Sequence, residues 1–564
     1  MFKWLLKQFS AAEGNPDGLG SEKGLEAFIA RLPVTVPAST VEALSEQFED
    51  APALELASDE LRHALKRLDE RAQEPLAAIE SDLFEDRLGR AISETVWLTL
   101  ARFHRNVHTG YRVCLEGLPA RDEQSHIEHS DAVLIACRAM AALGRYKTLL
   151  RMRYRDVDAT FWEHTLELAS WITRTRGNTT LIELYPGTDY QTTFEREYLI
   201  ALLFEAAPIA NLVPAQMFAL DLILRRYAAN YQFSDRYHDS TPFVFDLEGA
   251  TVAKRWLKGL SPRPGLRFFG VADAYGQLVE LCEQAKKSRQ RPHWLDSARL
   301  DVDSYRALLD LLVSHWSVQP PQRRHRRNRV AGEVLVVHGV GLVHRMLAAS
   351  EEAKASGTPS HEDNTPYHSD LFLERRVGSV SEQVEESDVQ GLSPMETLEG
   401  DRQLTENWTI TDVSESGIGA AVARAHGGWA RIGMLVGFRR TNNLEWHTAI
   451  VRRLIRSSPG RLSVGLQTIP ATARSALLRV PGKDDDTYWS PVAGAGDVHH
   501  DAILLRDGKS MSLLLEPGVF LGEMECMLSF AKRWHPVKLE RNLESGYDYE
   551  QVAISQTSAP LPSA

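Results

Sequence analysis

The apolar period of this chain changes once, abruptly, and prolines mark the place. Up to Trp316 the large apolar side chains recur at helical spacing: Tyr305, Leu308, Leu309, Leu312 and Trp316 fall at i, i+3, i+4, i+7 and i+11, one face of a helix. Pro320 and Pro321 stop that helix, since proline lacks the amide hydrogen that a further turn needs. Beyond them the segments NWTITDV, WARIGMLVGFRR, EWHTAIVRRLIR and RLSVGLQTI are β-branched or alternating, and turn signals such as TNN and SSPG separate them. The chain therefore reads as multidomain α + β, with helices and strands segregated along the sequence. Its 564 residues agree, because one hydrophobic core serves about 100 to 200 residues.

Residues 1–318 are expected to form an all-helical domain of stacked amphipathic helices. Within it Leu61, Leu65 and Leu68 follow Ser58 as an N-cap, and Asp59 and Glu60 suit the positive end of the helix dipole. The opening MFKWLLKQF reads as the start of a helix, its apolar run being too short for a secretory signal. Residues 319–476 read as an antiparallel β-barrel, with 351–404 as a long solvated insertion rich in Ser, Glu, Asp, Gly and Pro. Residues 477–564 read as a further β-rich unit with a polar tail, open to being a degenerate second barrel.

Composition removes some classes of function. A formal charge of -12 repels polyanions at long range, which argues against a general nucleic-acid coat but leaves room for a local basic site for a small anion. Cys114, Cys137, Cys282 and Cys526 form no CxxC pair, so they suggest buried thiols in a reducing compartment rather than a zinc site or a disulfide framework. No apolar run approaches the roughly 18 residues of a membrane span, so a cytoplasmic protein without a transmembrane segment is expected. His499 and His500, and His361 and His368, invite a metal reading; without a second spaced cluster, exposed loop histidines are the default.

One stretch, DVSESGIGAAV from Asp412 to Val422, admits two quite different chemistries. A dinucleotide-binding turn needs GxGxxG between a strand and a helix. Gly417 and Gly419 supply two of those glycines, but Val422 holds the third position, and the helix AAVARAHGGW would be broken by Gly427 and Gly428. HGVGLVH fails in the same way, ending in His344. A Rossmann-type NAD(P)-dependent oxidoreductase is thus the disfavoured alternative. The basic run QPPQRRHRRNRV, taken alone, reads as a solvated patch or as a contact for nucleic acid or an acidic partner.

Taken together, the two stretches say more. Arg323 and Arg327 form RxxxR just before a strand, and Asp412, Ser414 and Gly417 form DxSxxG at the end of a later one. In this order, on β segments ending in VRRLIR and SVGLQTI, the pairing resembles the PilZ domain family, the bacterial receptor module for cyclic di-GMP, over residues 321–475. The resemblance implies a PilZ-like barrel that binds cyclic di-GMP, needs no cofactor and catalyses nothing. It implies a ligand site drawn from Arg323, Arg324, Arg327, Arg329, Asp412, Ser414 and Gly417. The arginine register stays open: the family's second arginine commonly lies just before the strand, which here is Arg329, with His325 as its partner, and Arg326 is also in reach. In the family the arginine segment wraps the ligand, so ordering of the linker would reorient the helical half, the natural site for a protein partner controlling motility, attachment or polysaccharide output.

The residue types suit that ligand. A guanidinium is planar, always charged and able to meet a phosphate or guanine O6 and N7 with paired hydrogen bonds. Asp412 can accept from guanine N1–H and N2–H, and Ser414 can donate or accept. Gly417 is expected to supply a positive φ and close approach without a Cβ. Trp408 and Trp446 read as barrel core rather than as guanine-stacking platforms; carboxylates of the insertion could compete with ligand for the arginines if it folds over the barrel, but a solvated loop is the default reading.

Overall fold

The computed structural model describes residues 19, 21–53, 58–86, 89–116, 126–247, 253–256, 263–320, 326–355, 405–423, 429–440, 445–458, 461–480, 498–508, 510–530 and 533–557. They form two compact units, Met1–Pro321 and Gln322–Ala564.

In the first unit, long helices run over Ser58–Glu80, Glu94–Glu116 and His126–Met152, followed by shorter ones to Val302–Trp316. Their apolar stripes make the core: Leu65, Leu68, Tyr305, Leu308, Leu309 and Leu312 are all fully buried. Aspartates start two helices by accepting backbone N–H groups, Asp158 from Phe161 at 3.0 Å and Asp301 from Ser304 at 2.8 Å. The core also holds charge. Arg138, wholly buried, donates to the Leu184 carbonyl at 2.9 Å and to Glu70 at 2.8 Å, while neighbouring Asp69 accepts from the Tyr111 hydroxyl at 2.8 Å. Such a guanidinium is tolerated inside a protein only because its donors find partners.

This unit is helical as expected, but not wholly so. An antiparallel sheet in the order Gln232–Ser234, Leu266–Gly270, Phe243–Asp246, Lys254–Arg255 packs Phe233, Phe245 and Phe269 edge to face with Tyr198 nearby. Strands of two to five residues are too short for alternation to stand out against a helical background. The opening MFKWLLKQF lies outside the described residues. No helix among the described residues is long and apolar enough to cross a membrane.

The described residues of the second unit include twelve strands. The first six are β1 (Asn328–His338), β2 (Glu406–Ser414), β3 (Gly417–Ala423), β4 (Leu435–Arg440), β5 (His447–Ser458) and β6 (Arg461–Thr468). They close into an antiparallel barrel in the order β1-β2-β3-β6-β5-β4, with β4 pairing back to β1. The rest are β7 (Thr472–Val480), β8 (Val498–Asp507), β9 (Ser510–Leu515), β10 (Met524–Phe530), β11 (Arg533–Ser545) and β12 (Glu550–Gln556). They close in the order β7-β8-β9-β12-β11-β10, the same wiring as the first barrel. Alternation fills each interior: Val334, Val336, Trp408, Val464 and Leu466 in one, and Leu478, Leu504, Leu513 and Leu528 in the other.

Between β1 and β2 the chain departs from the expected pattern. At Gly339, with φ of +80°, it leaves β1 and enters a helix, Val340–Ala355. VGLVH, the end of the second dinucleotide-turn candidate, is therefore helical, and residues 351–355, expected in the insertion, form the end of that helix. The remainder of the insertion, with His361 and His368, lies outside the described residues. Val340, Val343, Met346 and Leu347 on this helix pack with Leu435 and Ile450 of the first barrel and with Ile503, Leu505 and Leu514 of the second, making one shared core. Glu351 fastens it to β7, accepting from the Ser475 hydroxyl at 2.7 Å and backbone at 3.2 Å.

Candidate functional site

The hairpin β2–β3 answers the ambiguity of DVSESGIGAAV. Ser414 pairs with Gly417 across a two-residue turn, and Gly417 begins an antiparallel strand rather than a helix. The AAVARAHGGW segment starts as that strand, so the glycines open a strand instead of a helix and the dinucleotide-turn reading is excluded. A bulge between Ile410 and Asp412 resets the alternation of β2. Trp408, Ile410 and Val413 consequently point inward, while Asp412 and Ser414 share the partly exposed outer face.

Arg329 on β1 lies directly opposite Asp412. Two residues earlier, at the end of the basic run, Arg327 donates from Nη1 to Asp412 Oδ1 at 2.9 Å, bridging 85 positions of sequence. The Asp412 carboxylate also accepts from the Thr411 hydroxyl at 3.3 Å. Arg327, Arg329 and Asp412 thus form one cluster of opposite charges, accessible to solvent. Arg326 is exposed beside them, whereas Arg323, Arg324 and His325 lie outside the described residues.

Ser414 donates to the Gly417 carbonyl at 3.2 Å and so closes the hairpin. Gly417 has a role other than the expected positive φ, which it does not adopt. A Cβ there would stand 2.2 Å from the Leu466 carbonyl oxygen, so close backbone approach of β6 is what demands glycine. Gly419, which the motif does not include, is constrained by the site itself: its Cβ would fall 2.4 Å from Asp412 Oδ2. The carboxylate lies flat where that side chain would stand.

Neither tryptophan stands on this face. Trp408 is fully buried and stacks on Trp429, while Trp446 is buried in the core shared by the two barrels. Glu406 accepts from both indoles of the stack, Trp408 at 2.9 Å and Trp429 at 2.6 Å. His499 and His500 sit on strand β8 rather than in a loop, His499 edge-on to Trp534, and no metal-binding group of three His, Cys, Asp or Glu occurs among the described residues. All four cysteines are buried and unpaired.

No curated protein and no solved structure matches the chain. A protein-family model does: residues 23–238, within the helical unit, match the family described as the N-terminal domain of the cyclic-di-GMP receptor FimW.

Proposed function

We propose that this protein is a cyclic di-GMP receptor that holds its ligand on the outer face of the first barrel through a PilZ-type site, and binds rather than catalyses. The observation that carries this reading is the ion pair between Arg327 and Asp412, which joins the basic arm to the hairpin turn. The match of residues 23–238 to the N-terminal domain of a cyclic-di-GMP receptor supports it from a separate part of the chain. On ligand binding the pair is exchanged: Asp412 turns to the N1–H and N2–H edge of a guanine, and Arg327 and Arg329 turn to phosphate oxygens or guanine O6 and N7. Ser414 adds a hydroxyl, and Gly417 keeps the turn close to β6. Arg323 and Arg324 complete the arm, and no cofactor takes part. The helical unit is the proposed docking site for a cytoplasmic protein partner, with motility, attachment or polysaccharide output downstream.

Calorimetric titration of the full chain with cyclic di-GMP, GTP and NAD tests this. Saturable binding of cyclic di-GMP alone is expected at micromolar concentration, and Arg327→Ala and Asp412→Ala should each weaken it by roughly 5- to 150-fold, the range for a lost bidentate contact of about 1 to 3 kcal/mol. No binding by the intact chain refutes the proposal. A steep fall of affinity for nucleic acid with added salt would instead favour a polyanion-binding role for the basic run.

A further inference from the structure

The strand register carries the outer face further round the barrel than the two motifs reach. Arg329 faces Asp412, Asp412 faces Gly419, Gly419 faces Gly465, and Gly465 faces Arg453, in one row across β1, β2, β3, β6 and β5. Both glycines in that row lie beneath a neighbour's side chain. The Asp412 carboxylate covers Gly419, and a Cβ on Gly465 would stand 2.9 Å from the Cβ of Arg453, with Cγ and Cδ within 3.8 Å. Asp412 therefore leans across the face from one side and the aliphatic stem of Arg453 from the other, toward each other over the β3–β6 seam.

An arginine that only solvates a barrel surface needs no glycine opposite it. Glycine inside a strand weakens the strand and marks a place where something approaches closely. Here two adjoining glycines clear the space between a carboxylate and a guanidinium, and Arg453 is exposed at its edge. From β1 to β5 the row spans four strand spacings, about 19 Å along the curved surface. Arginines stand at both ends of that row, Arg329 on β1 and Arg453 on β5.

We propose that Arg453 is a further ligand-binding residue, which closes the far edge of the site by donating to a phosphate or to the O6 and N7 edge of the guanine remote from Asp412. This rests on the cyclic di-GMP reading above. A planar fork able to make two parallel bonds is what that position offers, and lysine would supply charge without the fork.

The test is calorimetric titration of the full chain with cyclic di-GMP, comparing wild type, Arg453→Ala, Arg453→Lys and, as a control on the same outer surface, Arg461→Ala. Arg453→Ala should bind about tenfold or more weakly, Arg453→Lys should recover part of the loss, and Arg461→Ala should bind as wild type. Thermal melts should coincide, since Arg453 is exposed. Wild-type affinity in Arg453→Ala overturns the inference and leaves the receptor reading intact. An equal loss in Arg461→Ala also overturns it, by assigning the effect to general charge. Failure of the wild type to bind removes the receptor reading, and this inference with it.

Discussion

Two glycines two positions apart do different work, and substitution separates them. A methyl group on Gly417 meets the carbonyl of Leu466, backbone that cannot step aside. Gly417→Ala should therefore cost about 1 to 3 kcal/mol of stability, as overpacking does, and lower the melting temperature. A methyl group on Gly419 meets the end of the Asp412 side chain, which can rotate away. Gly419→Ala should melt within a degree or two of wild type yet bind cyclic di-GMP several-fold more weakly, because the displaced carboxylate no longer lies on the sheet. Equal melting losses in both variants would contradict this division. At this scale the sequence made the polar residue types legible, since Asp412 and Ser414 stand at i and i+2 of a recognisable strand end. Gly419, Gly465 and Arg453 were not legible. Their relation is a cross-strand register between β3, β6 and β5, and spacing within a strand carries no information about what lies beside it.

Among the elements, the helix Val340–Ala355 went unread although Val340, Val343 and Leu347 keep a helical period. Its apolar residues follow directly on those of β1, both runs are rich in valine, and only the left-handed Gly339 divides them. The strands within NWTITDV, WARIGMLVGFRR, EWHTAIVRRLIR and RLSVGLQTI were plain in the sequence, whereas β3 was not, and closure of each barrel depends on first and fourth strands far apart in sequence. The joint between barrels also contains a titrating group. Asp548, before β12, accepts the Leu435 N–H with Oδ1 at 2.8 Å, but its Oδ2 is buried without a partner. Burial pushes this carboxyl up to about 6. Because the folded state holds the proton more tightly than the unfolded chain, near 3.9, its contribution is fully present below about pH 4 and is lost as pH rises through about 6. Asp548→Asn, which keeps the acceptor and removes the charge, should raise the melting temperature at pH 8, by at most about 3 kcal/mol in stability, and change it little at pH 4. A gain of the same size at both pH values would show that the carboxylate's charge is not the cause.

Across the whole second unit, two barrels share one strand order but not one set of surface residues. Matching their hairpins by pairing, Ser414 with Gly417 and Asp507 with Ser510, puts Leu505 where Asp412 stands and Ser510 where Gly417 stands. Leu505 is buried in the core that joins the barrels, so the surface proposed for the site on one barrel is consumed by packing on the other. Asp412→Ala should accordingly leave no second saturable binding event for cyclic di-GMP on the intact chain; a residual event of unchanged affinity would place a site on the second barrel. Arg326 and Arg327 lead directly into β1, and the far end of β1 turns at Gly339 into the helix packed against both barrels. Past its bulge at Arg329 and Gly332, that strand is a stiff rod on the order of 25 Å long. Under the proposed function, the ligand contacts at Arg327 and Arg329 and the helix packed against both barrels stand at opposite ends of one strand.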